Sequence, residues 1–489
     1  MTMVKGKGVR RTRIVATIGP ASQDDETLAK LVDAGINVAR LNYSHGTHAW
    51  RGELATRIRR IASEKGRPVG ILADLPGPKL RLGLFEGGHQ LISGASVTLF
   101  CGIEEMVDAD ASKLPVPYAG LASELSAGDP VLLNDGIIRL EVKSTDADTG
   151  EVACVVIEGG LITQRKGMNL PGTVVKLPAV GPRDEDALTH AISIDVDFVA
   201  VSYVRDAADL APAKRMLDAA GSTARLVAKI EHPSALEALD EILDIADVVM
   251  VARGDLGVEI PPEEVPLAQE RVVLAARRRG MPVIVATQML ESMIEQARPT
   301  RAEVSDIANS IRHGATAVML SAETAAGNHP IAALETMHRV AILAEAEWPA
   351  ALSHPVDAFL LHTRAVAHAG VELATAIGAS RILVATERGN AARLVAAHTP
   401  AMPITAVTDS IHTLRQMTMI SGVDSVLVTE SERGSTTMMG ALNDLLADGR
   451  LESGDRVVAI SGSPLAISGP TSTARLYRID DDGHVIGDE

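Results

Sequence analysis

Two carboxylates, Glu231 and Asp255, follow closely on apolar runs of the kind that form buried strands. Carboxylate oxygens are ligands that Mg²⁺ and Mn²⁺ prefer, and water or an anionic substrate can complete the coordination octahedron. Ordinary ion pairs with Lys229 and Arg253 would explain the same residues. Because the two carboxylates end successive apolar runs, the pattern favours a divalent metal site.

Lys229 lies two residues before Glu231, so both side chains point to the same face if the run is a strand. An ammonium group beside a metal ion could neutralise charge on a phosphoryl group during its transfer, although Lys229 could also act only as a counterion. Arg40 carries a planar fork of donors that suits phosphoryl or carboxylate oxygens. An arginine can also cap the top of a barrel without taking part in chemistry.

Further polar or small residues follow the ends of the other apolar runs. They are Asn42, Ser44, His45, Asp74, Lys79, Arg81, Gly254, Thr287, Ser321 and Glu323. His45 could equally form a local cap, and Gly254 a turn, instead of approaching a ligand. The sequence contains neither a Walker A loop nor a kinase glycine-rich loop, so side chains would have to hold the phosphates of any nucleotide.

Eight short β-rich runs, separated by segments of helical pattern, must position these residues. The runs begin at Thr12, Asn37, Pro68, Val196, Ala224, Asp247, Pro282 and Ala315. Between the fifth and sixth runs, Leu236, Leu239 and Ile242 fall on one face of a predicted helix. Eight alternating β/α units predict an α/β fold of the TIM (β/α)8 barrel type, whose active site lies at the C-terminal ends of the strands.

Two regions interrupt or follow the eight-unit pattern. Residues 84–175 contain short β runs separated by Gly, Asp and Ser clusters, which predicts an inserted β-barrel domain after the third strand. From residue 346 onward, four further β runs alternate with helical patterns. We therefore expect a barrel domain of residues 1–83 and 176–345, a mobile all-β insert of residues 84–175 and a C-terminal α/β regulatory domain of residues 346–489.

Composition limits the classes of protein to which the 489-residue chain can belong. Its formal charge of −17 argues against a nucleic-acid partner, because phosphate backbones favour a basic surface. The 2 cysteines are too few for a disulfide framework, and no apolar run reaches the roughly 20 residues that span a bilayer. We expect a cytoplasmic protein with no membrane partner.

Several ordered motifs along nearly the whole chain resemble those of the pyruvate kinase family. They include "TRIVATIGPAS", "GINVARLNYSHG", "KGMNLPG", "VAKIEHPSALEALDEIL", "VMVARGDLGVEI", "ATQMLESMIEQARPTRAEVSDIANSIRHGATAVMLSAETAAGNHP" and "GDRVVAISGSP". The resemblance implies a barrel with a mobile β domain after strand three, a C-terminal α/β domain and assembly as a homotetramer. It also implies transfer of the phosphoryl group of phosphoenolpyruvate to ADP in glycolysis, giving ATP and pyruvate.

The resemblance also implies roles for individual residues. Glu231 and Asp255 would hold Mg²⁺ or Mn²⁺, and Lys229 would stabilise the phosphoryl group. Phosphoenolpyruvate would contact Arg40, Lys229, Gly254, Asp255 and Thr287. The nucleotide phosphates would lie along Asn42, His45, Arg81 and Lys166. Thr287 and Ser321 would serve a hydroxyl and water relay that protonates the enolate.

One stretch departs from many members of the family. The family's K⁺ ion is held by residues that match Asn42, Ser44, Asp74 and the carbonyl of Leu75. Members that need K⁺ usually carry "DTKGPEIRT", whereas this chain reads "DLPGPKLRL" and resembles members that work without K⁺. We expect K⁺ not to be required, because the ammonium group of Lys79 could stand near the K⁺ position. Alternatively, Lys79 pairs with Glu86 or faces solvent.

The effector region and the overall function leave alternatives open. The stretch "ATERGNAARL" has few hydroxyls, which makes activation by fructose 1,6-bisphosphate doubtful. A smaller phosphorylated effector, such as AMP or a sugar monophosphate, could bind at Thr386, Arg388, Ser461 and Ser463, the last two in a predicted loop. A metal-dependent lyase or aldolase acting on a pyruvate enolate, or an inactive paralogue retained as a binding scaffold, are the alternative functions.

Overall fold

The computed structural model describes residues 10–134, 136–173, 175–347, 361–428, 435–462 and 471–487. Its centre is a closed barrel of eight parallel strands, in which the third and fourth strands pair directly despite the long insert between them. The barrel strands are Arg13–Thr17, Val38–Asn42, Gly70–Asp74, Phe198–Val201, Arg225–Ile230, Val248–Ala252, Val283–Ala286 and Ala317–Leu320. All eight predicted strands are present, and the prediction of a TIM barrel is confirmed.

The barrel strands are buried on both faces, which explains why they read as unbroken apolar runs rather than as alternating ones. Inward side chains such as Val15, Leu72 and Met250 fill the barrel, and a larger cluster packs between strands and helices. The helices are Asp25–Asp33, His48–Glu64, Pro182–Ser193, Ala211–Ala219, Pro233–Glu237, Leu239–Ile245, Arg253–Glu259, Val265–Arg278, Arg301–His313, Ala322–Ala325 and Pro330–Glu347. Short 3₁₀ turns are Ala207–Leu210, Pro262–Glu264 and Glu291–Ile294.

The insert after the third barrel strand forms an all-β domain with its own core, as predicted. Its strands are Gly88–Leu91, Ser96–Cys101, Lys113–Val116, Pro130–Leu133, Ile138–Asp146, Glu151–Glu158, Gly160–Thr163 and Met168–Asn169, with one short helix, Leu121–Glu124. They form a six-stranded and a two-stranded sheet. The hydrophobic cluster of the insert already includes Leu80 and Leu82. The domain boundaries inferred from the sequence stay predictions.

The C-terminal region forms a third unit, of α/β type, around a six-stranded sheet. Its strands are Arg381–Ala385, Ile404–Thr408, Val423–Leu427, Arg456–Gly462, Thr471–Ile479 and Val485–Gly487. Its helices are Leu361–Ala376, Asn390–Ala397, Ile411–Gln416 and Ser435–Ala447, with a 3₁₀ turn at Met417–Met419. In the described part of the chain, no helix combines the length and apolar character needed to cross a membrane.

The predicted loop that begins at Ser461 is corrected by the structure at both of its ends. Ser461 lies within a strand, and Thr473 lies on the antiparallel strand that pairs with it. The strand Thr471–Ile479 was missed because exposed and partly exposed polar residues interrupt its apolar ones, so it does not read as an apolar run. Ser463 lies outside the described residues.

Candidate active site

A buried charged centre lies where the second, third and fifth barrel strands end. The ammonium group of Lys229 is 2.9 Å from Oε1 of Glu231 and 3.1 Å from Oδ1 of Asp74. It also donates a hydrogen bond to Oγ of Ser202 at 2.7 Å. The second carboxylate oxygen of Asp74 accepts from Nε of Arg40 at 2.7 Å. Residues that the sequence placed on three separate strand ends therefore form one ion-pair network.

The network holds Lys229 and Asp74 in their charged forms against the effect of burial. Burial alone would lower the pKa of Lys229, but Asp74, Glu231 and Asp255 outweigh it and place that pKa above its ordinary value. Burial alone would raise the pKa of Asp74, but Lys229 and Arg40 outweigh it and lower that pKa. The ammonium group of Lys229 is therefore a permanent positive charge at the top of the barrel.

The two predicted metal ligands differ in how tightly the protein holds them. Glu231 is fully buried, and its Oε2 accepts a hydrogen bond of 2.7 Å from the backbone N–H of Tyr203. The side chain of Asp255 is 29% exposed, and its Oδ1 lies 3.3 Å from the ammonium group of Lys79. Burial and the nearby charge of Asp255 raise the pKa of Glu231, which Lys229 opposes. A pair of oxygen ligands with excess negative charge fits a hard divalent cation.

Gly254 and Thr287 lie against each other at the ends of the sixth and seventh strands. The N–H of Gly254 donates to Oγ1 of Thr287 at 2.7 Å, and a Cβ at Gly254 would lie only 3.3 Å from that oxygen. Thr287 adopts a positive φ of 69°, a costly conformation for a β-branched residue. Arg253 holds the turn, because it donates to the carbonyl of Thr287 at 2.7 Å and pairs with Asp306 at 2.6 Å.

Ser321 ends the eighth strand with a buried hydroxyl that has no hydrogen-bond partner among the described residues. Its backbone N–H donates to Oε2 of Glu323 at 2.6 Å, and Oε1 of the same carboxylate accepts from the N–H of Leu290 at 3.1 Å. Glu323 therefore acts as a buried brace between two strand ends. No described hydrogen bond joins Ser321 to Thr287, so the predicted relay between the two hydroxyls stays a prediction.

A cavity of about 880 Å³ opens between the top of the barrel and the inserted domain. Its charged, polar and hinge residues are Ser44, His45, Gly77, Lys79, Arg81, Glu104, Tyr118, Arg165, Gly181, Arg183 and Asp184. Among the predicted nucleotide ligands, His45 and Arg81 line this cavity, whereas Asn42 and Lys166 do not. Lys166 follows the lining residue Arg165, and its carbonyl accepts from the N–H of Leu82 at 2.9 Å.

Three of the four residues predicted to hold a monovalent cation, Asn42, Asp74 and Leu75, have oxygens engaged by protein groups. Oδ1 of Asn42 accepts from the N–H of Ser44 at 3.0 Å, and the carbonyl of Leu75 accepts from Oγ of Ser202 at 2.8 Å. Asp74 is engaged by its two cationic neighbours, as described above. Lys79 forms an ion pair with Asp255.

Sequence reasoning missed Ser202 and Tyr203, which follow the fourth barrel strand. Ser202 joins the carbonyl of Leu75 to the ammonium group of Lys229, and Tyr203 holds Glu231 through its backbone. The fourth run, "VDFVAVSYV", has two polar residues just before its last valine, and they were not among the predicted site residues. Its terminal Ser and Tyr were the available signal.

Of the residues predicted to bind an effector, the described ones, Thr386, Arg388 and Ser461, do not line one common cavity. Arg388 lines two cavities of about 430 and 720 Å³ between the barrel and the C-terminal unit, and neither Thr386 nor Ser461 lines either of them. Thr386 is buried, and Oγ of Ser461 lies 3.1 Å from Oγ1 of Thr473. Within the described residues, Arg388 is therefore the only predicted effector ligand that faces these two cavities.

Comparisons with known proteins agree with this arrangement. The chain matches the family descriptions "Pyruvate kinase, barrel domain" over residues 9–334 and "Pyruvate kinase, alpha/beta domain" over residues 364–477. A pyruvate kinase of Mycobacterium tuberculosis is 39% identical over 477 residues, which cover 97% of this chain and 99% of that protein. A protein of Synechocystis, described as pyruvate kinase 2, is 40% identical over 473 residues, covering 96% and 79%.

A solved structure shares the whole architecture. The crystal structure of a pyruvate kinase from Cryptosporidium parvum matches with a TM-score of 0.87 and 33% identity, and the match covers 96% of each chain. The barrel, the inserted β domain and the C-terminal unit thus occur together in a known protein, and the resemblance inferred from the motifs is confirmed. The chain belongs to the pyruvate kinase family of phosphotransferases.

Proposed function

We propose that this chain transfers the phosphoryl group of phosphoenolpyruvate to ADP in glycolysis, yielding pyruvate and ATP. The observation that carries the proposal is the buried ammonium group of Lys229, held between Asp74 and Glu231 at the top of the barrel. Phosphoryl transfer asks the protein mainly for alignment and charge neutralisation, which a fixed cation beside two metal-binding carboxylates supplies. Neither alternative function has an observation of its own to favour it.

Each residue of the charged centre has a distinct task in this proposal. Glu231 and Asp255 would hold Mg²⁺ or Mn²⁺, which when bound neutralises oxygens of the phosphoryl group. Lys229 keeps its charge at every physiological pH and stabilises the phosphoryl group as it moves. Arg40 uses Nε on Asp74 and Nη1 on Thr17, at 2.8 Å, so Nη2 is the nitrogen it presents to phosphoenolpyruvate.

The nucleotide would enter the cavity between the barrel and the inserted domain. His45 and Arg81 line that cavity, and Asn42 and Lys166 lie next to lining residues. Closure of the inserted domain would exclude water that could otherwise accept the phosphoryl group. After transfer, the enolate must be protonated at carbon. The buried hydroxyl of Ser321, together with Thr287, is our candidate for the proton relay.

K⁺ independence forms part of the proposal. The ammonium group of Lys79 reaches into the site as far as Asp255, so a positive charge is built into the chain. Asn42 and Leu75 each have an oxygen that accepts a protein hydrogen bond, and Asp74 is paired with Lys229, which supports a site that works without a monovalent ion.

Assembly and regulation are proposed at a coarser level. Leu267 and Leu274 lie seven residues apart on the helix Val265–Arg278, and they are 69% and 43% exposed. An apolar stripe of this kind supports burial between subunits of a homotetramer, which sedimentation velocity would test.

Arg388 supports binding of a small phosphorylated effector such as AMP or a sugar monophosphate rather than fructose 1,6-bisphosphate. Titration at subsaturating phosphoenolpyruvate would compare these effectors.

A steady-state assay of pyruvate formation tests the catalytic proposal. The protein should form pyruvate only when phosphoenolpyruvate, ADP and Mg²⁺ are all present, with one ATP produced for each pyruvate. Pyruvate formed at the same rate without ADP would indicate a lyase or phosphatase instead. A folded protein that binds phosphoenolpyruvate but forms no pyruvate would indicate a binding scaffold.

A further inference from the structure

Two segments of the chain connect the barrel with the inserted domain: an outgoing crossing, which contains Gly77, and a returning crossing, which contains Gly181. The carboxylate of Asp184 hydrogen-bonds to both crossings. Asp184 lies in the first turn of the helix Pro182–Ser193 and is only 3% exposed. Its Oδ1 accepts from the N–H of Gly77, in the outgoing crossing, at 2.7 Å. Its Oδ2 accepts from the N–H of Gly181, in the returning crossing, at 3.1 Å. A single side chain therefore fixes both backbone segments to the same point.

The surroundings of Asp184 make these hydrogen bonds strong. Burial raises the pKa of Asp184 above its ordinary value, and the backbone donors at Gly77 and Gly181 and the charge of Arg183 offset only part of that effect. The carboxylate also lies at the N-terminus of a helix, where the backbone dipoles favour negative charge. Hydrogen bonds to a charged acceptor are roughly twice as strong as neutral ones. Both glycines are only partly buried, so removal of the carboxylate would expose their N–H groups to exchange with water from the adjoining cavity.

The outgoing crossing also packs directly against the charged centre. Gly77 has a positive φ of 68°, and a Cβ at this position would lie 2.6 Å from the Cβ of Ser202. Ser202 in turn donates to the carbonyl of Leu75 at 2.8 Å and accepts from the ammonium group of Lys229 at 2.7 Å. The position of the crossing is thus linked to the position of Lys229 through one serine.

From these contacts we propose that Asp184 is a positioning residue that clamps both crossings, so that the inserted domain closes about one fixed point and Ser202 keeps Lys229 aligned. The inference deepens the proposed function and rests on it for its kinetic consequence. The clamp acts through Gly77 and Gly181 and does not require contact between Asp184 and either substrate. Asp184 lines the 880 Å³ cavity in which the nucleotide is proposed to bind. Loosening the clamp would therefore alter the nucleotide side of the site.

The experiment compares Asp184→Ala and Asp184→Asn with the wild-type protein in two assays. Hydrogen exchange, followed by mass spectrometry without substrate, should show Gly77 and Gly181 exchanging at least tenfold faster in Asp184→Ala. Kinetics should show kcat reduced about tenfold and KM for ADP raised severalfold. KM for phosphoenolpyruvate should change less than twofold, because its proposed ligands lie on the barrel. Asp184→Asn keeps one acceptor oxygen. Its exchange rates, kcat and KM for ADP should lie between those of wild type and Asp184→Ala.

Asp186→Asn is the matched control, because Asp186 lies on the same helix, is 76% exposed and pairs only weakly with His48 at 3.6 Å. It should match wild type in both assays. Unchanged exchange at both glycines in Asp184→Ala would overturn the clamp. Faster exchange with unchanged kcat and KM for ADP would show that Asp184 only caps its helix.

If Asp184→Ala does not fold, Asp184→Asn decides, and wild-type behaviour in both assays would overturn the proposal. A wild-type protein that forms no ADP-dependent pyruvate would contradict the proposed function instead. The exchange measurement, which needs no substrate, would still decide whether the clamp exists.

Discussion

The ammonium group of Lys79 lies 3.3 Å from Oδ1 of Asp255, one of the two carboxylates assigned to the divalent metal. The sequence suggested that Lys79 would stand near a monovalent-cation site or else pair with Glu86. In the structure its charge lies beside Asp255, and its place relative to a monovalent-cation site stays a prediction. Asp74, by contrast, is already neutralised by Lys229 and Arg40. A fixed cation next to Asp255 offsets part of the negative charge that Glu231 and Asp255 create together.

This relationship predicts the response to monovalent ions. Activity with Na⁺ or tetramethylammonium as the only monovalent cation should stay within about twofold of activity with K⁺. Lys79→Glu introduces the residue of K⁺-requiring relatives beside Asp255, so its activity without K⁺ should fall by roughly 100-fold, in the range of losses for a removed electrostatic group. Added K⁺ should restore part of that loss. Initial rates at constant ionic strength are the measurement.

Lys143→Met is the control for the Lys79 variant, because Lys143 is an exposed lysine of the inserted domain that pairs with Glu141. Its rate should equal that of wild type under every ionic condition. Loss of wild-type activity by orders of magnitude when K⁺ is replaced would refute K⁺ independence.

Removal of the central cation should abolish transfer. Lys229→Met should lower kcat by about 10³-fold or more, because the phosphoryl group loses its fixed positive partner. It also leaves Glu231 without its buried counterion and Asp74 with Arg40 alone, so the thermal midpoint should fall, and Glu231 should bind a proton more readily. Mn²⁺ titration followed by electron paramagnetic resonance would separate lost metal binding from lost chemistry. A kcat within tenfold of wild type would contradict the role of Lys229.

The buried carboxyl group of Asp197 lies at the end of the barrel opposite the charged centre. It predicts how the stability of the protein depends on pH. Burial raises the pKa of Asp197 to about 7, although the N–H of Ile71 and the charges of Arg415 and Arg59 oppose it. The folded state therefore binds a proton more tightly than the unfolded state, whose aspartate titrates near ~4. Stability from this group is present at low pH and is lost as pH rises through about 7.

Asp197→Asn should consequently gain stability relative to wild type as pH rises, by a few kcal/mol at most between about pH 4 and pH 7. Thermal midpoints of both proteins across this window are the measurement. Asp218→Asn alters an exposed aspartate that pairs with Lys214 and should show no such trend. A constant difference between Asp197→Asn and wild type at every pH would show that Asp197 does not titrate in this range.

The sequence located the strand ends well because each apolar run stops at a polar residue. The sequence also predicted that Lys229 and Glu231 point to the same face, since residues two apart share a face of a strand. The contact of Asp184 with Gly77 was not readable, because it joins residues 107 positions apart through a backbone N–H. Tyr203 was hidden for a related reason. It has a positive φ of 54° and its N–H donates to Glu231, and no spacing rule signals either feature.

Ser202 offers the last test, since it is the only described side chain that hydrogen-bonds both Lys229 and the carbonyl of Leu75. Ser202→Ala leaves the ion pairs of Lys229 intact but removes one of the groups that orient its ammonium, at a cost of about 1–3 kcal/mol. We expect kcat to fall about tenfold while Mg²⁺ affinity changes little. Ser193→Ala, which alters an exposed serine bonded to the carbonyl of His190, should leave kcat unchanged. If Ser202→Ala keeps full kcat, then Lys229 is held by Asp74 and Glu231 alone, and movement of the hinge is not transmitted through Ser202.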